Sequence, residues 1–325
     1  MVSPLTVEEI NAAARRLAEH TLVTPVHRLR TPEIETAGGG ASEVWLKLEL
    51  FQHTGTFKAR GALLNVLSLS PQARQHGVTA VSAGNHAVAV AFAAATVGIS
   101  AKVVMFTSAN PLRIELCRSL GAEVVFADNA HAGFELATHL AEQEGRTLIH
   151  PFEGRTTALA TATVGLELCE QIPGLEAVIV PIGCGGLCAG IASAVKLLAP
   201  GCEVFGVEPE GADSMHRSFA AGEPRAIERV NTIADSLGAP YALPISFELC
   251  RRNVDALVRV SDVELRSAMR FVLRNAKLAV EPAGAAATAA LLGPLKERLR
   301  GKRVGLIICG SNIDSASYAK LIANE

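Results

Sequence analysis

The sequence is poor in aromatic residues, which make up 4% of its 325 positions: Trp45, Tyr241, Tyr318 and eleven Phe. It also lacks any run of Lys and Arg, its 30 basic residues being offset by 32 acidic ones. Phosphate backbones are held by clustered cations and single strands by stacked rings, so no nucleic-acid partner is expected. No apolar stretch reaches the roughly 18 to 20 residues that a bilayer span requires. The longest runs, such as AVAVAFAAATVG, fall well short, so no membrane association is expected. The N-terminus, MVSPLTVEEI, has neither the basic nor the apolar region of a signal peptide. A large charge excess is missing too. With a net charge of −2 and 49% hydrophobic residues, disorder is excluded, because there is ample surface to bury and little self-repulsion. Finally, an even set of cysteines is absent. Cys117, Cys169, Cys184, Cys188, Cys202, Cys250 and Cys309 are odd in number and several lie in apolar runs, as expected of reduced thiols in a cytoplasmic protein.

What is present is enough chain for about two domains at roughly 150 residues each. Thr6 with Glu9 fits a capping box, and Ile10, Ala13, Ala14 and Leu17 follow at helical spacing, predicting a first helix. Beyond Trp45, short Val/Ile runs alternate with Ala/Leu-rich segments. Strands are predicted at VTAVSA (78–83), AKVVMF (101–106), AEVVFA (122–127), TLIHPF (147–152), AVIVPIG (177–183), EVFGVEP (203–209), ALVRVSD (256–262) and VGLIICG (304–310). Helices are predicted between them, for example over 86–98, 110–121, 132–145 and 187–200. Near-continuous Val/Ile strands alternating with helices argue for βαβ units and parallel sheets covered on both faces, hence the α/β class. No linker composition separates two domains, so they are expected to interleave in sequence.

In open α/β sheets ligands bind where strands pass into helices. Three such junctions stand out. Gly183, Cys184, Gly185, Gly186 and Leu187 link an apolar run to a helix, a place where backbone N–H groups can cradle an anion and where a tight packing turn is the alternative. Ser82, Ala83, Gly84, Asn85 and His86 open a very apolar helix, as a carboxylate site or as an Asn/Ser cap. Cys309, Gly310, Ser311 and Asn312 turn out of the last apolar run, where a thiol is by default a small hydrophobe. Lys58 follows Phe57 and precedes an Ala/Leu/Val segment. Such a Lys is usually a solvated helix residue; desolvated, it has a lowered pKa and can act as a Schiff-base nucleophile, for which a phosphorylated aldehyde is the natural partner.

Taken together these residues match a family pattern. Thr54-Gly55-Thr56-Phe57-Lys58-Ala59-Arg60-Gly61-Ala62 resembles the T-G-S-F-K-x-R-G-A signature of the threonine/serine dehydratase and serine racemase family, which are fold-type II pyridoxal 5'-phosphate (PLP) enzymes. The 82–87 segment resembles its substrate-carboxylate loop, 181–187 its glycine-rich phosphate loop, and 309–312 its C-terminal S/C-G-x-N turn. The motifs occur in the family's order across nearly the whole chain.

The resemblance implies a tryptophan synthase beta-like architecture of two open, twisted, mostly parallel sheets flanked by helices. Residues 1–75 and 149–325 would form a large PLP-binding domain and 76–148 a small inserted one, in a homodimer or homotetramer. Lys58 would carry PLP as a Schiff base, Phe57 would lie against its ring and Asn85 would bond the ring oxygen. Gly183 to Leu187 would hold the phosphate, Cys309 would face the pyridine nitrogen and Glu281 would stand near the ring edge. Residues 82–86 would bind the carboxylate of a small amino-acid substrate. The implied activity is removal of water and ammonia from a β-hydroxy L-amino acid of the threonine/serine type, with Lys58 as base for the Cα proton.

The alternatives are a racemase and a dehydratase of 3-hydroxyaspartate or 3-phenylserine, with a non-catalytic PLP-binding sensor after them. Ala83 stands where serine racemases place Ser, and a methyl group cannot exchange a proton, which favours the dehydratase. Cys309 cannot hold a proton on the pyridine nitrogen as a carboxylate does. Glu153-Gly154-Arg155, Ala160-Thr161-Ala162-Thr163 and Asp235-Ser236 depart from the family and are expected to border the substrate side chain, with Arg155 the candidate for a second carboxylate and an exposed loop cation the favoured alternative. Cys184 stands where the family has Gly, and a Cβ there would resist a positive φ. No metal is expected: Glu208 and Ala212 match the racemases' cation site, but Ser214 occupies its third position.

Overall fold

The computed structural model describes residues 2–32, 34, 43–107 and 109–323. The capping box is present: Thr6 Oγ1 accepts the Glu9 N–H, and the Glu9 carboxylate accepts the Thr6 N–H at 2.9 Å. The helix it starts, Val7–Leu17, buries Ile10, Ala13 and Leu17, as the spacing requires.

Two sheets organise the described residues. The larger runs β1 (Val26–Leu29), β2 (Glu43–Lys47), β10 (Arg303–Ile307), β7 (Ala177–Pro181), β8 (Glu203–Pro209), β9 (Ala256–Val260), and only the β1–β2 pair is antiparallel. The smaller is wholly parallel: β5 (Glu123–Ala127), β4 (Ala101–Phe106), β3 (Val78–Val81), β6 (Thr147–Leu148). All eight strands expected from the sequence form. The other two, β1 and β2, interleave charged residues with apolar ones (VHRL, EVWLK) and so give none of the continuous Val/Ile signal of β7.

One buried charge cluster explains how such residues sit inside. Lys47, wholly buried on β2, donates to Glu167 (2.5 Å) and Gln171 (2.9 Å). Arg60 forks onto Glu49 (2.9 and 2.8 Å) and onto Glu167 (2.5 and 2.9 Å). Removing one partner of such a cluster would leave a buried charge uncompensated, at a cost of roughly 3–5 kcal/mol. The cluster pins the start of helix Lys58–Leu67 to β2 and to helix Arg155–Gln171, and it thereby fixes Lys58, two residues before Arg60.

The core under the smaller sheet joins Val78, Val103 and helix Asn85–Val97 to Leu63 and Val66 of helix Lys58–Leu67 and to Ala13 and Leu17. It is therefore built partly from residues outside 76–148. The larger core surrounds β7, β8 and β10. Among the described residues no helix is long and apolar enough to cross a membrane.

Candidate active site

Residues that follow β3 and β4 line one side of a cavity of ≈ 600 Å³, and residues that follow β7 and β10 line the other. The size suits a cofactor together with a small substrate. Of the residues singled out in the sequence, Phe57, Lys58, Ser82 to His86, Gly183 to Leu187, Glu281 and Cys309 all reach this one cavity.

Lys58 sits at its floor, half-buried, with Nζ donating to the Pro151 carbonyl at 2.5 Å and 5.1 Å from the centre of the Phe57 ring. Desolvation lowers its pKa, which favours the neutral, nucleophilic amine. Burial, and then the Lys58 charge, also hold nearby His86 and His150 neutral, at about 3 and about 4. Cys309 is buried, and desolvation pushes its thiol well up, so it stays protonated.

The glycine-rich turn is shaped by close approach. Gly185 has φ +94°, and a Cβ there would lie 2.5 Å from Met215; one on Gly186 would lie 2.5 Å from the Phe152 carbonyl. The turn opens helix Gly186–Leu198, whose first N–H groups have no intrahelical acceptor and so face an anion's site. Cys184 is not among the positive-φ residues, so its Cβ is no obstacle: the strained position falls on Gly185 instead.

Asn85 is fixed from two sides. Its Nδ2 donates to Glu281 at 2.9 Å, and its Oδ1 accepts from Asn312 Nδ2, also at 2.9 Å. Its amide orientation is thus set, and the remaining Nδ2 hydrogen makes only a long bond, 3.4 Å, to Ser236 Oγ. Ser82 Oγ accepts the Gly84 N–H at 3.0 Å, which curls the 82–86 loop around its own backbone donors.

Three expectations fail. Arg155 does not meet the cavity: it bonds Glu9 and the carbonyls of Ser3 and Pro4. Glu153 caps helix Pro244–Asn253 through the N–H groups of Ile245 (2.6 Å) and Ser246 (3.2 Å). Ala160 to Thr163 lie buried in helix Arg155–Gln171, where Thr161 bonds the Gly186 carbonyl at 2.8 Å and supports the turn from beneath. Of the departing segments only Asp235-Ser236 lines the cavity.

The sequence also left residues unread. Phe106, Phe134, Phe152, Tyr241 and Arg113 all line the cavity. Four rings stand in series: Phe134 to His150 (6.4 Å), His150 to Phe152 (4.6 Å, edge-on) and Phe152 to Tyr241 (6.1 Å). Only His150 and Phe152 are neighbours in the chain; Phe134 and Tyr241 come from distant segments, so no spacing could reveal the series. Among the described residues no group of His, Cys, Asp and Glu is placed to hold a metal ion.

Residues 17–310 match the family model of pyridoxal-phosphate dependent enzymes. The chain belongs to that family. Among relatives of this PLP enzyme is the phenylserine dehydratase of Ralstonia pickettii, 54% identical over 97% of this chain and 96% of the relative. The L-threonine ammonia-lyase of Thermotoga maritima is 38% identical over 98% of this chain and 78% of the relative. Maize serine racemase superposes with a TM-score of 0.93 at 32% identity, covering 99% and 98% of the two chains. The cavity fits the cofactor of this family: an amine at the floor, a glycine turn at a helix N-terminus whose backbone packs too closely on Met215 and the Phe152 carbonyl to admit a Cβ at Gly185 or Gly186, and a flat ring in Phe57.

Proposed function

We propose that this PLP enzyme is a dehydratase, in effect an ammonia-lyase, of L-3-hydroxy amino acids whose Cβ carries an aryl group, with 3-phenylserine as the reference substrate. The observation that carries the aryl preference is the ring series Phe134, His150, Phe152 and Tyr241, of which Phe134, Phe152 and Tyr241 line the cavity. Such faces and edges receive an aryl ring in offset or edge-on contact. Similarity to a phenylserine dehydratase supports the same reading. A second carboxylate is poorly served: Arg155 is bonded to Glu9, and the cavity's Arg113 is paired with Asp235. This speaks against 3-hydroxyaspartate.

When bound, PLP supplies an electron sink for the pair released at Cα. Lys58 would anchor the cofactor, and its amine, once free, would take the Cα proton. The N–H groups of Gly183 to Leu187 would hold the phosphate, Phe57 would lie along the ring, and Asn85, oriented by Glu281, would donate to the ring oxygen. Cys309, a neutral thiol, would face the ring nitrogen without keeping a proton on it. Ser82 to His86 would hold the substrate carboxylate and so set which Cα bond stands toward Lys58. The net change takes R–CHOH–CH(NH₃⁺)–COO⁻ to R–CH₂–CO–COO⁻ and NH₄⁺. Ala83 offers no second acid/base, and Ser82 is engaged by Gly84, which favours elimination over racemisation.

In this reading residues 1–75 and 149–325 form the cofactor domain and 76–148 the inserted one. The free state of all seven cysteines supports a reducing, cytoplasmic setting. Exposed Leu22, Val23 and Phe51, gathered around Gln52, support self-association as a dimer or tetramer. The test is oxo-acid release by the purified protein from L-3-phenylserine, L-threonine, L-serine and L-3-hydroxyaspartate. The visible absorbance of lysine-bound cofactor should vanish in Lys58→Ala, and phenylserine should give the highest kcat/KM. Preferred turnover of hydroxyaspartate, or D-serine formed from L-serine faster than oxo acid, would overturn the reading. Absorbance without turnover of any of the four would favour a sensor.

A further inference from the structure

Arg113 reaches the cavity from helix Pro111–Ser119, beside the smaller sheet, and bonds two segments that belong with the larger one. Its Nη1 donates to Asp235 Oδ2 at 2.8 Å and its Nη2 to the Asn312 carbonyl at 2.9 Å, while Glu281 lies 3.9 Å from Nη2. Nη1 also lies 3.5 Å from where a Cβ on Gly84 would be, so the guanidinium rests on the 82–86 loop. The Arg113 side chain is only 10% exposed, and its Nε is buried without a partner. A neighbouring bond from Asn110 Nδ2 to Asp314 (3.0 Å) runs in parallel across the same gap.

A buried guanidinium is expensive to desolvate, and a bond to a largely exposed carboxylate returns little of that cost as stability. The Asp235 side chain is 61% exposed. Interlobe adhesion is therefore a weak reason for the residue, whereas its position against Gly84 gives it a direct hold on the loop that faces the substrate.

We propose that Arg113 is a positioning residue for the α-carboxylate of the amino-acid substrate: braced on Asp235 and Asn312, it holds the Ser82–His86 loop in the shape that binds that carboxylate. The proposal rests on reading this loop as the carboxylate site. Its consequence is selective. Loss of the brace weakens the grip on the carboxylate while the phosphate cup, Phe57 and Lys58 keep the cofactor in place.

The experiment uses the cofactor-loaded enzyme and the variants Arg113→Met, Arg113→Lys, Asp235→Asn and the Met/Asn double. Binding is read from the change in cofactor absorbance with two probes: L-phenylalanine, which has the carboxylate but no leaving hydroxyl, and 2-phenylethylamine, which lacks the carboxylate. Arg113→Met should weaken L-phenylalanine and raise the KM of phenylserine about tenfold, the size of one lost positioning bond to a charged group, with kcat within about threefold. Binding of 2-phenylethylamine and of PLP should stay unchanged. Asp235→Asn should shift KM in the same direction by less, the double variant should be no worse than Arg113→Met, and Arg113→Lys should recover part of the loss. Equal weakening of both probes, loss of PLP, or an unchanged KM in Arg113→Met overturns the proposal. Should the wild type respond to the amine but not to L-phenylalanine, the fault lies with the carboxylate-loop reading rather than with Arg113.

Discussion

Arg155 places its Nη2 against both carboxylate oxygens of Glu9, at 2.7 and 2.6 Å, with Nε at 3.1 Å from one of them. The residue that the sequence offers for a substrate's second carboxylate is thus committed to the N-terminal helix. Its hydrogen bond is the main reason the Glu9 carboxyl sits below the usual carboxylate range. Both partners are about one-third exposed, so screening limits the pair to about 1 kcal/mol. Arg155→Ala should lower stability by about that much in urea unfolding while kcat/KM for every hydroxy amino acid stays within about twofold. A selective loss of hydroxyaspartate turnover would return Arg155 to the cavity.

The ring series makes a prediction about selectivity rather than overall activity. Tyr241 and Phe134 stand at its two ends, Phe152 carries T-shaped contact with His150 in between, and all three Phe and Tyr rings line the cavity. An aromatic pair adds roughly 0.5–1.5 kcal/mol beyond the area it buries. Tyr241→Ala and Phe134→Ala should therefore each lower kcat/KM for phenylserine about tenfold or more, with threonine changed less than about threefold. Equal losses on both substrates would mean that the rings support the fold and not the aryl group.

Much of the site was readable in sequence because PLP chemistry demands local motifs. A lysine after Phe57, a glycine turn entering a helix and a polar turn after a strand each lie within a few residues, and each names its own chemistry. The parallel strands were legible for a similar reason, since burial on both faces forces continuous Val/Ile runs. What escaped depends on residues far apart in the chain. Arg113 looks like any cation on a helix until Asp235 and Asn312 come beside it, and Tyr241 meets Phe152 only through the fold. Likewise β2 hides behind its charged ends, because Lys47 is buried by Glu167, a residue 120 positions away.

The glycine turn separates two adjacent positions that look equivalent in sequence. Gly185 has φ +94° and Met215 beside it, whereas Cys184 carries its Cβ without such a φ. Strain of this kind costs of order 1–3 kcal/mol. Gly185→Ala should therefore weaken PLP binding about tenfold or more in equilibrium titration, while Cys184→Ala binds as the wild type does. The opposite ranking would show that the cup is set by the thiol.

Glu281 gives the protein a signed dependence on pH. Burial, and then the Asp235 charge, raise its carboxyl from 4.5 to about 7, against Arg113 and the Asn85 bond, which lower it. The folded state therefore keeps a proton on Glu281 that the unfolded chain has already lost. This contribution is fully present below about 4.5, declines as pH rises, and is gone above about 7, for a total of roughly 3 kcal/mol. His86 and His150 act in the opposite sense, since their depressed values remove stability as pH falls below about 6.5. The difference between wild type and Glu281→Gln cancels those imidazoles. In urea unfolding of the cofactor-free protein, the wild type should lose stability relative to Glu281→Gln between pH 5 and 7.5. Parallel profiles over that window would mean that Glu281 titrates alike in the folded and unfolded chain.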